Sequence, residues 1–158
     1  MRVGIGYDVH PLVKNRPMII GGVQLDFEYG LGGHSDADVL LHAVGDALLG
    51  AAALGDLGKY FPDNNANYAN ISSLILLKEI AQLLAKHHFR IVNIDSVVVL
   101  EKPKIAPEID QMRKNIADCV GVHVNDVSVK ATTSEKMGFI GKGEGVAAQA
   151  VALIERIG

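Results

Sequence analysis

The chain has 158 residues, enough for one domain at roughly 150 residues each. With 49% apolar and 21% charged residues it is not a disordered acidic or basic chain, and 15 Lys+Arg against 18 Asp+Glu (net charge −3) leave no basic field to hold a nucleic acid. A single cysteine, Cys119, excludes an internal disulfide framework and a cysteine-based zinc finger, and is expected to be a small core residue.

The opening MRVGIGYDVH reaches Asp8 without an apolar segment, so no signal peptide is expected. No run of ~18 apolar residues predicts a membrane span. A cytoplasmic setting is expected, with neither a membrane nor a nucleic acid as partner. No linker, repeat or low-complexity stretch divides the chain, so residues 1–158 are read as a single domain.

Residues 2–9 alternate Val3, Ile5, Tyr7 and Val9 with Arg2, Gly4, Gly6 and Asp8, which predicts a half-buried strand. Met18–Ile20 and Val23–Leu25 flank Gly21-Gly22, a hairpin signal. Residues 36–54 carry Val39, Leu40, Ala43, Val44, Ala47, Leu48 and Ala51 at helical spacing, with Asp36 as the expected cap and Gly55 as the stop. A second helix is predicted over 72–88, capped by Ser72 or Ser73. Ile91–Leu100 predicts a well-buried strand, 107–119 a helix with Pro107 at its start, and Val127–Ala131 a short strand. For Val146–Ile157, alanine content favours helix and alternation favours strand. The layout is mixed α and β rather than strict βαβ alternation.

Three constellations carry chemistry. Asp8-Val9-His10 ends the first predicted strand, where side chains two apart leave the same face and can reach one metal ion. The plain alternative is a solvated aspartate beside a hydrogen-bonded histidine. Asp38, His42 and Asp46 share one face of the first helix, so His42 can supply a third ligand. Asp38 or Asp46 could then orient a ligating histidine by hydrogen-bonding its other ring nitrogen, or be ordinary solvated carboxylates. Three protein ligands and an open position suit a catalytic zinc. Gly32-Gly33-His34-Ser35-Asp36 leads into the predicted helix start, a place for an anion or a simple capped entry. Lys130 through Lys136 joins hydroxyls, two cations and Glu135 at a strand end, suited to phosphate and a hard divalent cation, or merely a solvated loop. Gly141 to Gly145 is glycine-rich without P-loop spacing. His87, His88 and His123 are expected in surface or capping roles.

Five blocks together resemble the 2-C-methyl-D-erythritol 2,4-cyclodiphosphate synthase family: GYDVH at 6–10, IIGGV at 19–23, HSDADVLLHAVGDALLGAAALGDLGKYFPD at 34–63, EKPKIAP at 101–107 and VKATTSEKMGFIGKGEGVAAQAVAL at 129–153. The resemblance implies an α+β fold (a mixed α/β sandwich), one sheet with helices packed on one face. It also implies a homotrimer with its sheets toward the threefold axis and active sites between subunits. It tilts Val146–Ile157 toward strand. It implies conversion of 4-diphosphocytidyl-2-C-methyl-D-erythritol 2-phosphate to the cyclic diphosphate with loss of CMP. Asp8, His10 and His42 match the ligands of one zinc per subunit, and Glu135 a ligand for a second divalent cation, Mg²⁺ or Mn²⁺. His34 and Thr133 match positions that stabilise the transition state. Substrate contacts are implied for Asp8, His10, His34, Ser35, Asp56, Gly58, Asp63, Leu100, Lys102, Pro103, Lys104, Ala106, Thr132, Thr133, Ser134, Glu135, Phe139 and Lys142. Ala37 replaces the family's usual glycine, which is harmless if residue 37 is helical and costly at positive φ. Asn64-Asn65 replaces a more typical Thr-Asp, and Lys142 stands where Arg is common. Two other readings share the metal residues: a phosphoesterase using metal-activated water, and a binding protein with a structural zinc.

Overall fold

Strand β1 (Arg2–Lys14) has glycine at two alternate positions, and helix α1 (Val39–Ala51) lies directly on them. A Cβ on Gly4 would stand 2.0 Å from the carbonyl oxygen of Ala47, and one on Gly6 1.9 Å from that of Ala43. Only bare backbone admits the helix this closely. The strand is half-buried as expected, and the approach of α1 decides which face is covered. The glycine face is covered, while Val3 (68% exposed), Ile5 (73%), Tyr7 (53%) and Val9 (41%) face outward.

The structure, a computed structural model, describes residues 1–158. The main sheet also contains β4 (Tyr29–Leu31), β5 (Phe89–Val99), β6 (Val127–Thr132) and β7 (Gly145–Arg156), in the order β4-β1-β7-β5-β6. Only β5 and β6 pair in parallel; β7 runs antiparallel to both β1 and β5. The last segment is therefore a strand, against its alanine propensity. Ala148, Ala150 and Ala152 are buried under α1, where their small side chains keep the helix close. Propensity yields to packing here. Strands β2 (Met18–Ile20) and β3 (Val23–Leu25) form the expected hairpin. The fold is a mixed α+β architecture, and no helix is long and apolar enough to cross a membrane.

Several boundaries differ from expectation. Strand β1 continues to Lys14, so Asp8 and His10 lie within it rather than at its end. Helix α1 starts at Val39, and its cap is Asp38, not Asp36. The Asp38 carboxylate is fully buried and accepts from the N–H groups of Leu41 (3.1 Å), Gly21 (2.9 Å) and Gly22 (2.7 Å). It therefore joins the hairpin turn to the helix start and is no part of a solvated face. Burial pushes its pKa up to about 6 despite those donors. Ala37 is not helical: its φ is +57°, in the left-handed region. Helix α1 stops at Ala51, before Gly55, because Ala53 already turns to φ +58°. Strand β5 alternates in burial instead of being buried throughout, with Ile94, Ser96 and Val98 inward.

Helix α3 (Ser73–Lys86) is capped by Ser72, and helix α4 (Ile109–Val120) ends at Gly121 with φ +75°. Two short helices, α2 (Leu57–Tyr60) and α5 (Gly138–Gly141), had no periodic signal. Helix α1 packs on β1 and β7, α3 on α1 and β5, and α4 on α3 and β6. Of the thirteen residues of α1, only His42, Asp46 and Gly50 are not buried. A helix apolar on nearly every side belongs at the centre of a core. Its two half-buried polar side chains therefore mark the one place where the core opens. Cys119 is half-buried at the edge of the core, where burial raises its thiol pKa.

Candidate metal centre and its cleft

Asp8 on β1 and His42 on α1 meet because those elements touch. The Asp8 Oδ2 is 2.9 Å from His10 Nε2 and 3.0 Å from His42 Nδ1. The two imidazole nitrogens are 3.1 Å apart. One oxygen and two nitrogens, all within 4.8 Å of one another, converge on one point. This donor set, one carboxylate and two imidazoles, fits a divalent ion such as zinc and leaves coordination positions open. On its far side, His10 Nδ1 donates to the carbonyl of Gly32 at 2.8 Å, which leaves Nε2 free to ligate.

The three groups also pair with one another. Burial raises the pKa of Asp8, but hydrogen bonds from His10 and His42 outweigh it and hold the carboxyl at about 2. Burial lowers that of His10, but the Asp8 carboxylate raises it further, for a net upward shift. The Asp8 contribution to stability is complete above its unfolded value near 3.8 and is lost as the pH falls toward about 2. The His10 contribution is complete below 6.5 and is lost as the pH rises through its raised folded value. The metal-free protein should therefore gain most from this pair at about pH 4–6. Replacing Asp8 by Asn should lower Tm most within that range and flatten its fall on the acid side below about pH 4 and on the basic side above 6.5, as followed by circular dichroism in chelator.

The cluster opens into a cleft of about 250 Å³, lined also by His34, Ser35, Asp46, Gly58, Asp63 and Tyr68 among others. The glycine pair does not lead straight into a helix, since α1 begins five residues after His34. Instead Arg16 donates to the carbonyls of Gly33 (2.6 Å) and Ser35 (2.7 Å) and fixes this loop. His34 Nε2 donates to the carbonyl of Asn65 at 3.0 Å, tying the 61–68 segment across the cleft mouth. Asp46 accepts from the N–H of Leu57 (2.8 Å) and so docks α2 beside the metal cluster. Burial, and the negative charge of Asp56, push the pKa of Asp46 up. Asp56 itself caps α2 through Lys59 N–H at 3.0 Å.

The remaining sequence candidates form a second group, apart from this cleft. Leu100 N–H donates to the carbonyl of Thr132 (3.0 Å), and Glu101 accepts from Ser134 N, Ser134 Oγ and Lys136 N. This joins the 100–106 and 132–136 stretches, with Lys102, Pro103, Lys104, Ala106, Thr133 and Glu135 on their exposed or half-buried surface. Leu100 is a core residue, 4% exposed, so only its backbone is available to a ligand. Phe139 lies against Gly145, and Lys142 is exposed just beyond α5. Lys130 leaves the proposed phosphate set: it pairs with Asp95 at 2.6 Å on the outer sheet face. Arg16 and Ser73 are contributors that sequence reasoning assigned no site role, and Glu101 lay within the implied 100–106 cytidine stretch without a part of its own. Each acts across more than fifteen residues, so no local spacing signals them.

A family model described as "YgbB family" matches residues 1–155. The chain belongs to the YgbB family. A YgbB relative from Chloroherpeton thalassium, the 2-C-methyl-D-erythritol 2,4-cyclodiphosphate synthase, is 60% identical over 157 residues, covering 99% of this chain and 100% of its own. Among solved structures, the Plasmodium falciparum IspF complex with CDP matches with a TM-score of 0.86 and 31% identity, covering 99% of this chain and 97% of that one. The bifunctional IspDF from Campylobacter jejuni matches with a TM-score of 0.95 and 40% identity over 99% of this chain. This YgbB chain spans only 42% of that larger protein.

Proposed function

We infer that this chain is an enzyme of isoprenoid precursor biosynthesis, converting 4-diphosphocytidyl-2-C-methyl-D-erythritol 2-phosphate to 2-C-methyl-D-erythritol 2,4-cyclodiphosphate and CMP. The observation that carries this reading is full-length identity of about 60% to the curated synthase together with a converged Asp8–His10–His42 set at a cleft. An oxygen of the 2-phosphate attacks the β-phosphorus of the same molecule, and the bond from that phosphorus to the CMP oxygen breaks. Nucleophile and leaving group are tethered, so the protein need supply only folding of the substrate and charge stabilisation. Zinc held by Asp8, His10 and His42 would supply Lewis acidity at a phosphate oxygen. His34 and Ser35, on the loop clamped by Arg16, are assigned to phosphate oxygens in the cleft. Asp56, Gly58 and Asp63 are assigned to the methylerythritol side, and Phe139 and Lys142 to the outer rim. Thr133 accepts from the N–H of Glu135 at 3.3 Å, which leaves its hydroxyl proton for a phosphate. Glu135 is assigned to the Mg²⁺ or Mn²⁺ that accompanies the diphosphate.

The 100–106 and 132–135 stretches, including Thr132 and Ser134, are assigned to cytidine, and they do not line the Asp8 cleft of their own chain. A homotrimer resolves this by joining the cytidine segment of one subunit to the metal cleft of the next. The outward row Val3, Ile5, Tyr7 and Val9, continued by Val151 on β7, is an apolar surface suited to that contact. Ile5→Asp should convert the trimer to monomers in sedimentation analysis and remove activity. A trimer that survives Ile5→Asp with its mass unchanged would place the interface elsewhere.

Phosphorus NMR with zinc, Mg²⁺ and the cytidyl diphosphate substrate tests the reaction. Equal amounts of CMP and a cyclic diphosphate are expected; inorganic phosphate or an open-chain product would instead make the protein a phosphoesterase. Thr133→Ala should lower kcat by on the order of 100-fold with little change in KM, in steady-state kinetics. An equal loss in binding would reduce Thr133 to a substrate anchor.

A further inference from the structure

His42 faces two ways. Its Nδ1 points at the metal cluster, 3.0 Å from Asp8 Oδ2. Its Nε2 points away, 2.9 Å from Ser73 Oγ and 3.1 Å from Ser35 Oγ. Ser73 is the first residue of α3 and is 1% exposed. Its Oγ lies 2.5 Å from Asp36 Oδ1, and its N–H donates to Asp36 Oδ2 at 2.9 Å. The residue expected to cap α1 thus binds the start of α3 with both oxygens.

Direction follows from counting protons. A carboxylate offers only lone pairs, and a serine has one hydroxyl proton. That proton goes to Asp36, so Ser73 presents only a lone pair to His42. Nδ1 faces the Asp8 carboxylate, so once a metal ion stands on that side in place of a proton, Nε2 carries the ring proton and Nδ1 the lone pair. We infer that Asp36 and Ser73 are positioning residues that set His42 as an Nδ1 metal ligand, through the relay Asp36–Ser73–His42. The inference rests on the metal site proposed above. It also explains why the two histidines ligate through different atoms. His10 has its proton drawn to Nδ1 by the Gly32 carbonyl, so it presents Nε2. His42 has its proton drawn to Nε2 by Ser73, so it presents Nδ1.

The relay has a second effect. With His42 donating from Nε2, Ser35 has no call to donate to it. Ser35 Oγ already accepts from Ala37 N–H at 3.2 Å. Its own proton is left for a ligand in the cleft that Ser35 lines. The same carboxylate therefore orients a metal ligand and frees a hydroxyl for a phosphate oxygen. A carboxylate acting on a ligating histidine typically governs metal affinity by 10–100-fold, here through one intervening hydroxyl.

The test uses the full chain. Zinc affinity is measured by competition with a chromophoric chelator for wild type, Ser73→Ala, Asp36→Asn and the double variant, with the Tm of each metal-free protein alongside. Wild type that takes up no zinc would sink the metal site itself and leave nothing for the relay to orient. Given one zinc per wild-type chain, Ser73→Ala should weaken binding by 10–100-fold, beyond any change that its metal-free Tm accounts for. Asp36→Asn should weaken binding alone yet add less than twofold in the Ser73→Ala background, because its effect runs through that hydroxyl. Zinc affinity of Ser73→Ala within twofold of wild type, or a full Asp36→Asn effect without Ser73, would overturn the relay. Nitrogen-15 NMR of the zinc-loaded wild type at pH 8 needs no variant. It should show His42 protonated at Nε2 with its Nδ1 on the metal, and His10 the reverse; His42 protonated at Nδ1 would overturn the inference.

Discussion

Asp8→Ala and His42→Ala should each abolish zinc uptake at the proposed Asp8–His10–His42 site and reduce cyclodiphosphate formation by on the order of 1,000-fold, while the chain stays folded. Only three protein donors converge at the cluster, so removing one leaves too few to hold an ion against chelator. The fold survives because α1 is held by its apolar sides, with Leu40, Val44 and Leu48 fully buried, and not by the cluster. The cost in the metal-free protein is the lost Asp8 pairing. Holding that carboxyl at about 2 in place of its ordinary 3.8 corresponds to about 2 kcal/mol. Zinc content after dialysis, far-ultraviolet circular dichroism and phosphorus NMR together read the outcome. Full turnover of either variant in chelator-treated buffer would show that the reaction does not depend on this cluster.

Gly6→Ala should destabilise the protein by about 3 kcal/mol or more, lowering Tm by roughly 10 °C or preventing folding. The added methyl meets backbone on two sides, Ala43 O at 1.9 Å and Ala47 N at 2.8 Å, and backbone cannot rotate away. Relief requires lifting α1 from β1, which also pulls His42 away from Asp8. A partly folded Gly6→Ala protein should therefore lose zinc affinity as well as stability. Gly50→Ala is the control. Its Cβ would meet nothing nearer than Ile5 O at 3.9 Å, and it sits exposed near the end of α1. There alanine should be neutral or stabilise by up to about 1 kcal/mol through helix propensity. Equal Tm values for the two variants in thermal melts would mean that the β1–α1 approach has slack.

Local pattern carried a large part of this molecule. The periodicity from Val39 to Ala51 marked α1, Ser72 marked the start of α3, Gly21-Gly22 marked the hairpin, and the two-residue spacing of Asp8 and His10 marked a shared face. Each is a rule of a few residues, so each is written in the chain itself. The resemblance of five blocks then extended the reading to a family and its chemistry, which the YgbB match supports. Orientation was different. Alternation places Val3, Ile5, Tyr7 and Val9 on one side of β1 but does not say which side meets the helix. Only the approach of α1 decides it, and α1 requires glycine, so the apolar side is left for another surface. The same holds for the carboxylates of 36–46. Asp36, Asp38 and Asp46 look alike in sequence, yet one holds Ser73, one holds the hairpin turn at Gly21-Gly22 and one holds Leu57. Their partners are between eleven and thirty-seven residues away. A hydrogen bond depends on distance in space, and separation along the chain carries no trace of it until the sheet and helices have packed.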